Sequence, residues 1–424
     1  MKRSFATSWL GSRDALSFPV NPQSRSTVIL AMTGIVLFAL GIRTGVAAVS
    51  PLATRIDLDV PLEGLTLGIL GTIPPVAYAL AAALSPWFAR KVGLEGAVIA
   101  VGLLGAIAHV WRGISPTYLS LFVATIVLML AAGVGNVILP GLVKLYAPHR
   151  IGRLTAAYGT AMAFSSTAPT VLGVWLADEY GWRWSLATWA VISVVGIIPW
   201  IVLWPRAQAK GLQEAVITAT LPIVTAPVSL FKSPTALSIM AIFTVSSAMA
   251  YSWFAVLPPA LIELSGMSAE SAALALGLFT IMGFPVSLIV PPLVVRRGWS
   301  APFVGASMAF NIVGLTGLLV APTVTPFLWV TFLSLGPLTF AMSLALIGHR
   351  TTNHLSALIL SGFVNKWGYT FAAGAPVLVG LGREISGQWT ASLLGLLALS
   401  LVSLPAMLIL GKEQNVDKEL APHR

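Results

Sequence analysis

The sequence contains no cysteine, and only 9% of its 424 residues are charged. The first absence excludes disulfide bonds, thiol nucleophiles and thiolate metal sites. The second excludes an ordinary soluble domain, in which about 25% of the residues carry a charge. Hydrophobic residues make up 57% of the chain, so the composition indicates an integral membrane protein. The segment 1–26 is polar and lacks the short apolar core of a signal peptide, so we predict no cleaved leader.

Motifs for nucleotide and metal chemistry are also missing. The sequence has no Gly-Lys-Ser/Thr phosphate loop, no His-Glu-x-x-His and no pair of acidic residues within an apolar run. We therefore expect no ATP-driven pumping, no cofactor, no metal site and no enzymatic activity. The net charge of +10 lies in the loops between apolar runs. Membrane topology explains that placement, so binding of nucleic acid is not expected.

Twelve apolar runs are long enough to cross a bilayer as helices, which takes about 20 residues each. They fall at 27–50, 64–88, 94–111, 117–146, 154–177, 184–204, 235–261, 271–294, 301–321, 325–347, 355–381 and 389–411. We predict an all-α membrane protein with twelve transmembrane helices. The predicted domains are a cytoplasmic segment 1–26, an N-terminal six-helix half 27–204, a central cytoplasmic loop 205–233, a C-terminal six-helix half 234–411 and a cytoplasmic tail 412–424.

Basic residues are divided very unequally between alternate loops. One set of loops holds most of them, whereas the other set holds only Arg55, Arg112, Arg183 and Arg383. The positive-inside rule places the basic set in the cytoplasm, together with both termini and the central loop. We expect a multi-pass protein of the cell membrane, the inner membrane of a bacterium.

Three residues of the segment 168–182 recur in the segment 375–389 at one constant separation. The matched pairs are Pro169 with Pro376, Gly173 with Gly380, and Trp182 with Trp389. Several matches in order at one separation indicate two related six-helix halves. Two such halves with a binding site at their interface are the architecture of a secondary transporter.

Several segments resemble those of known transporters. ARKVG at 89–93 and RRGW at 296–299 resemble the basic loop motif of the major facilitator superfamily, although they lack its aspartate. LGIRTGVAAVSPL in helix 1, NVILPGLVK in helix 4 and LSGFVNKWGYTFAAGAPVLVGLGREISGQW in and after helix 11 look like the cyanate and 2-nitroimidazole transporter family. The resemblance implies alternating access around a central cavity and a cyanate-like, carboxylate or nitroimidazole-like substrate.

Three basic residues, Arg43, Lys144 and Lys366, lie inside predicted spans, whereas every acidic residue lies in a loop or at a helix end. Arginine keeps its proton even when buried, so Arg43 needs backbone acceptors, water or a negative ligand. We predict that Arg43 and Lys366 form a basic central site, in which an anionic substrate supplies the missing charge. The alternatives are that Arg43 only braces its helix and that Lys366 is neutral or structural. Lys144, near a helix end, is expected to snorkel.

Other polar and aromatic residues are candidates for substrate contact, namely Asn136, Tyr251, Trp253, Asn365 and Tyr369. Tryptophan and tyrosine also act as interfacial anchors, which is the alternative for those three. His109 is a candidate for proton coupling, and a structural hydrogen bond is the alternative. Arg112 is expected to be an anchor at the outer interface.

Prolines within the apolar runs predict helix breaks that allow bending. The candidates are Pro169, Pro376, Pro258 and Pro259. The alternative is that proline is simply frequent in membrane helices.

The expected function is therefore secondary active transport of a small anion or small polar planar compound. The expected partners are that substrate and membrane lipids, and the expected oligomeric state is a monomer. Co-transport of a proton, anion exchange and facilitated diffusion are the alternatives for coupling. A proton-coupled multidrug exporter and a membrane sensor without transport are the alternative functions.

Overall fold

The computed structural model describes residues 25–147, 150–208, 228–352 and 354–420, which form helices and no strands within those ranges. The α-helices of the first part are α1 (Arg25–Ile42), α2 (Ala53–Asp57), α3 (Gly64–Gly113), α4 (Tyr118–Tyr146), α5 (Ile151–Tyr180), α6 (Trp182–Thr188) and α7 (Ala190–Gln208). Those of the second part are α8 (Pro234–Ser265), α9 (Ala269–Ile281), α10 (Gly283–Arg297), α11 (Ser300–Val320), α12 (Pro326–Leu335), α13 (Leu338–His349), α14 (His354–Ala372), α15 (Gly374–Ser386), α16 (Thr390–Leu401), α17 (Leu404–Leu410) and α18 (Val416–Leu420).

Ten helical segments of the described chain are long and apolar enough to cross a membrane. The protein is therefore an all-α, multi-pass membrane protein, as the composition predicted. The remaining two predicted spans, 154–177 and 355–381, are also helical, but they are not among these ten. Both carry polar residues inside the bundle, including Ser166 and Asn365. The count of twelve spans and the positions of the termini stay predictions.

The first predicted span, 27–50, is not one continuous helix. Helix α1 ends at Ile42, residues 43–49 form turns, and a short 3₁₀ helix covers Ser50–Leu52. Side chains from distant segments take part in satisfying the backbone of this broken stretch. The backbone N–H of Arg43 donates to Ser165 Oγ at 3.0 Å, and Arg112 Nη1 donates to the carbonyl of Gly45 at 3.3 Å. Such partners are needed because an unbonded peptide group inside a membrane costs several kcal/mol.

Two predicted spans, 64–88 and 94–111, are joined by a sharp turn within α3. Gly93 has φ of 79°, in a region that favours glycine. The prolines behave differently from one another. Helix α5 continues through Pro169, and α8 continues through Pro258 and Pro259. Of these four predicted break positions, only Pro376 follows an interruption of the helix, which lies at Ala373 between α14 and α15.

The bundle has two chemically distinct ends. The acidic end carries Asp59, Asp178, Glu263 and Glu384, and the basic end carries Arg150, Arg296, Arg350 and Lys412. The charge asymmetry predicts that the acidic end lies outside the cell.

The matched tryptophans of the two sequence repeats make the same contact at the acidic end. Trp182 Nε1 donates to Asp59 at 2.9 Å, and Trp389 Nε1 donates to Glu263 at 3.0 Å. Each carboxylate also pairs with an arginine, Asp59 with Arg183 and Glu263 with Arg383. The repeat seen in the sequence is thus repeated in side-chain contacts.

The first and second parts of the chain pack against each other toward the acidic end. Thr72 of α3 donates to the carbonyl of Ala373 at 2.9 Å. A Cβ built onto Gly68 would lie 2.4 Å from the carbonyl oxygen of Pro376, so α3 and α15 are in backbone contact there. On the opposite face, the hydroxyl oxygens of Thr167 and Thr280 lie 2.7 Å apart. These contacts close the bundle at this end.

Candidate functional site

A cavity with a volume of about 280 Å³ lies in the middle of the bundle. Its walls come from the break after α1 and from α5, α8, α9, α10, α12, α13 and α14, so it is shared by the first and the second part of the chain. Serine and threonine hydroxyls give it a polar lining, and they belong to Ser166, Ser246, Ser247, Thr280, Ser287 and Ser334.

Arg43 is the only charged residue among the described residues that line this cavity. It is the first residue after α1 ends, and its side chain is half-buried. Its Nε is buried with no hydrogen-bond partner among the described residues. The buried acid Glu95 does not line the cavity, and it accepts a hydrogen bond from Tyr146 at 2.6 Å. The cavity therefore has an uncompensated positive charge at one point of its wall.

Three tyrosines lie near Arg43, namely Tyr78, Tyr251 and Tyr369. Tyr369 joins the other two, with ring centroids 6.4 Å from Tyr78 and 6.2 Å from Tyr251 in edge-on geometry. Tyr251 and Tyr369, two of the candidates for substrate contact, line the cavity. Tyr78 was not among the predicted residues. Its position in the middle of the span 64–88 was the signal that could have identified it.

The remaining candidates for substrate contact lie elsewhere in this conformation. Trp253 is only 1% exposed and packs in an apolar cluster with Met249, Val256 and Leu257. Asn365 Nδ2 donates to the carbonyl of Ser361 one turn earlier in its own helix, at 2.9 Å. Asn136 is half-buried on α4. These three are not among the described residues that line the cavity.

Lys366 is exposed, and its Nζ lies 5.2 Å from the centre of the Trp367 ring. It is not among the described lining residues, so Arg43 and Lys366 do not form one site in this conformation. An exposed position avoids placing a second positive charge next to Arg43 in surroundings of low dielectric constant. The side chain of Lys144 lies outside the described part of the structure.

His109 and Arg112 of α3 are both fully buried beside the break in helix 1. His109 Nε2 lies 3.1 Å from the hydroxyl oxygen of Thr44, and Arg112 binds Gly45. His109 does not line the central cavity. The prediction that Arg112 is an interfacial anchor is wrong, because a residue with no exposed surface reaches neither water nor lipid head groups.

The chain matches the sequence pattern of the Major Facilitator Superfamily over residues 29–375. The chain belongs to this superfamily. It is 30% identical over 398 residues to the 2-nitroimidazole transporter of Escherichia coli (strain K12), covering 92% of this chain and 97% of that protein. It is 25% identical over 378 residues to the uncharacterized transporter YycB of Bacillus subtilis (strain 168), covering 88% of this chain and 90% of that protein. The fold is similar to the crystal structure of the nucleoside transporter NupG, with a TM-score of 0.70, 14% identity and coverage of 90% and 100%.

Membership of the major facilitator superfamily makes this protein a secondary transporter of the cell membrane rather than an enzyme. Its cavity lies on one side of the closing contact. The lining residues of α5 run from Gly159 to Ser166, which precede Thr167 on the path from the basic end. The lining residues of α10 follow Thr280 on the path toward the basic end. This facilitator is therefore closed at the acidic end, and its cavity extends from that closure toward the basic end.

Proposed function

We propose that the protein transports a small planar anion, or a small planar compound with anionic oxygens, by alternating access around Arg43. The observation that carries the proposal is the charge of the cavity. Its described lining contains one arginine and no acidic residue. A charged side chain inside the membrane costs free energy on every transfer scale, so a retained one is taken as a candidate for function. A substrate with negative oxygen atoms lowers that cost when it binds.

The chemistry of the guanidinium group narrows the class of substrate. Its donors form a planar fork that matches two oxygen atoms in one plane, as in carboxylate and nitro groups. The Nε of Arg43, a donor of that fork, has no hydrogen-bond partner in the part of the chain that the structure describes.

Aromatic rings beside the arginine favour a flat substrate. Tyr251 and Tyr369 provide edges and faces on the cavity wall, and aromatic rings pack well against other planar groups. The Escherichia coli relative is a 2-nitroimidazole transporter, and 2-nitroimidazole is a planar ring with a nitro group. That chemistry is compatible with one arginine and an aromatic wall, so 2-nitroimidazole is the first compound to test.

The contacts on the acidic side of the cavity support the alternating-access part of the proposal. The acidic end is closed by Thr167 with Thr280 and by Gly68 with Pro376. These contacts connect the predicted six-helix halves 27–204 and 234–411. Rocking of one half against the other would separate them and expose Arg43 to the opposite side.

The test is uptake into proteoliposomes of radiolabelled formate, cyanate and 2-nitroimidazole by the wild type, Arg43→Ala and Lys366→Ala. We expect Arg43→Ala to abolish uptake of the transported compound while the protein stays folded and monodisperse. Lys366→Ala is the matched control, because it removes a positive charge that does not line the cavity, and it should retain uptake. Full activity of Arg43→Ala would exclude this function. Transport of cationic drugs alone would favour the multidrug exporter.

A further inference from the structure

A second, smaller cavity lies on the acidic side of the central one. It has a volume of about 30 Å³ and is lined by the broken part of helix 1, by α3, by α4 and by α8. Tyr251 and Phe254 belong to the lining of both cavities. Their ring centroids are 6.0 Å apart in edge-on geometry. The two rings therefore form the partition between the small cavity and the chamber that contains Arg43.

Arg112 is the charged residue of this small cavity. It has no exposed surface, and Nη1 donates to the carbonyl of Gly45. Its Nε and Nη2 are buried, and no described residue forms a hydrogen bond with them or a salt bridge with Arg112. A purely structural arginine would be expected to use these donors, because leaving them unbonded in a dry site is costly.

Ser50 contributes a second polar group to the lining of this cavity. It is 4% exposed, and its Oγ is buried without a hydrogen-bond partner among the described residues. A free hydroxyl and two free guanidinium donors lining one cavity are the groups that bind a small anion with two or more oxygen atoms.

We infer that Arg112 and Ser50 form a second anion subsite between the acidic end and the Tyr251–Phe254 partition. It binds the same class of substrate as Arg43, a small carboxylate or other planar oxyanion, on the way between the central chamber and the acidic end. Arg43 and Arg112, one on each side of the aromatic partition, provide two successive binding sites for a negatively charged substrate. This inference rests on the proposed function for the identity of the ligand, and its test separates the two.

The experiment uses the purified full-length protein and sodium formate as the probe. The unfolding temperature is measured with formate and with sodium gluconate at equal ionic strength, for the wild type, Arg43→Gln, Arg112→Gln and the double variant. A ligand that binds only the folded state raises that temperature. The measured quantity is the rise caused by formate, which a purely structural role of Arg112 would not change.

We expect each single variant to lose at least half of the rise and the double variant to lose all of it. If Arg43→Gln lost the formate-induced rise and Arg112→Gln kept it, the Arg112 subsite would be overturned and the proposed function would stay intact. Loss in Arg112→Gln alone would support the subsite and overturn the central role of Arg43. An unchanged rise in every variant would overturn both.

Two further variants keep the test decisive. Ser50→Ala should reduce the rise without unfolding the protein, and Arg183→Gln should leave it unchanged, because Arg183 is exposed and already paired with Asp59. If Arg112→Gln does not fold, Arg112→Lys takes its place. It keeps the positive charge but loses the planar fork. We therefore expect formate to raise the unfolding temperature less in Arg112→Lys than in the wild type, and sodium chloride to have the same effect on both proteins. An equal response to formate in Arg112→Lys and the wild type would overturn the subsite.

Discussion

The hydroxyl oxygens of Thr167 and Thr280 lie 2.7 Å apart, although 113 positions separate the two residues in the chain. One belongs to α5 and the other to α9, the first and second parts of the chain. Each hydroxyl also lies within hydrogen-bond distance of a carbonyl of its own helix. Because a hydroxyl has one proton, one of the two donates across this contact while the other donates within its own helix. The contact lies directly on the acidic side of the central cavity, so it must separate before Arg43 can be reached from that end.

Cross-linking this pair should arrest transport. The chain has no cysteine, so Thr167→Cys with Thr280→Cys introduces the only two thiols. The short separation of the native hydroxyls suits the geometry of a disulfide. We expect oxidation to abolish uptake in proteoliposomes and a reducing agent to restore it. Each single cysteine variant is the control and should be insensitive to oxidation. Full transport by a quantitatively cross-linked protein would mean that this contact does not open.

Adding one methyl group at Gly68 should weaken the closed acidic end. The new Cβ would lie 2.4 Å from the carbonyl oxygen of Pro376, a backbone atom that cannot move away alone. Overpacking of this kind typically costs about 1–3 kcal/mol. The readout is the rate at which a membrane-impermeant maleimide labels Ser50→Cys, which is buried at this end. We expect faster labelling with Gly68→Ala. Gly395→Ala is the control, because its Cβ would meet nothing within 4 Å.

Removing the aromatic ring of Tyr369 should weaken substrate binding. The ring contacts Tyr78, Tyr251 and Phe243, whose centroid is 4.9 Å away. A ring contact with a planar substrate contributes about 0.5–1.5 kcal/mol. Because Tyr369→Ala removes that contact, it should raise the KM for uptake by roughly three- to tenfold. Tyr369→Phe keeps the ring and should stay near the wild-type value. Phe371→Ala, an exposed ring on the same helix, tests for a general effect of losing an aromatic side chain. Equal KM values for Tyr369→Ala and the wild type would remove this ring from the site.

The stabilising effect of Asp59 should depend on pH. Hydrogen bonds from Arg183 and Trp182 hold the pKa of Asp59 below its ordinary value of 3.8. A depressed pKa means that the contribution to stability is present above that ordinary value and is lost as the pH falls through the folded-state value. Asp59→Asn should therefore lower the unfolding temperature at about pH 7, and the difference from the wild type should shrink toward about pH 3.

The control for Asp59 is Glu270→Gln, an exposed acid in the first turn of α9. At neutral pH, the unfolding temperature of Glu270→Gln should differ less from that of the wild type than the unfolding temperature of Asp59→Asn does. A constant difference between Asp59→Asn and the wild type over the whole pH range would show that the charge of Asp59 does not stabilise the fold.

The sequence by itself determined the class of the protein and the presence of an unpaired charge. Apolar runs of spanning length predict membrane helices because no other arrangement of a single chain segment satisfies its own backbone in lipid. The same reasoning singled out Arg43, since its guanidinium keeps its charge wherever it is buried. Tyr251 and Tyr369 followed from their positions in the spans.

The tertiary structure decided what lies beside that charge. The break after Ile42 depends on Ser165 and Arg112, which are far away in the chain and bind the backbone of residues 43 and 45. Periodicity cannot show such partners, because it describes the face of one helix and not which helix packs against it. For the same reason only the packing separates exposed Lys366 from the cavity and places Arg112 inside the protein. Burial is a property of neighbouring segments, and those are set by contacts across the whole bundle.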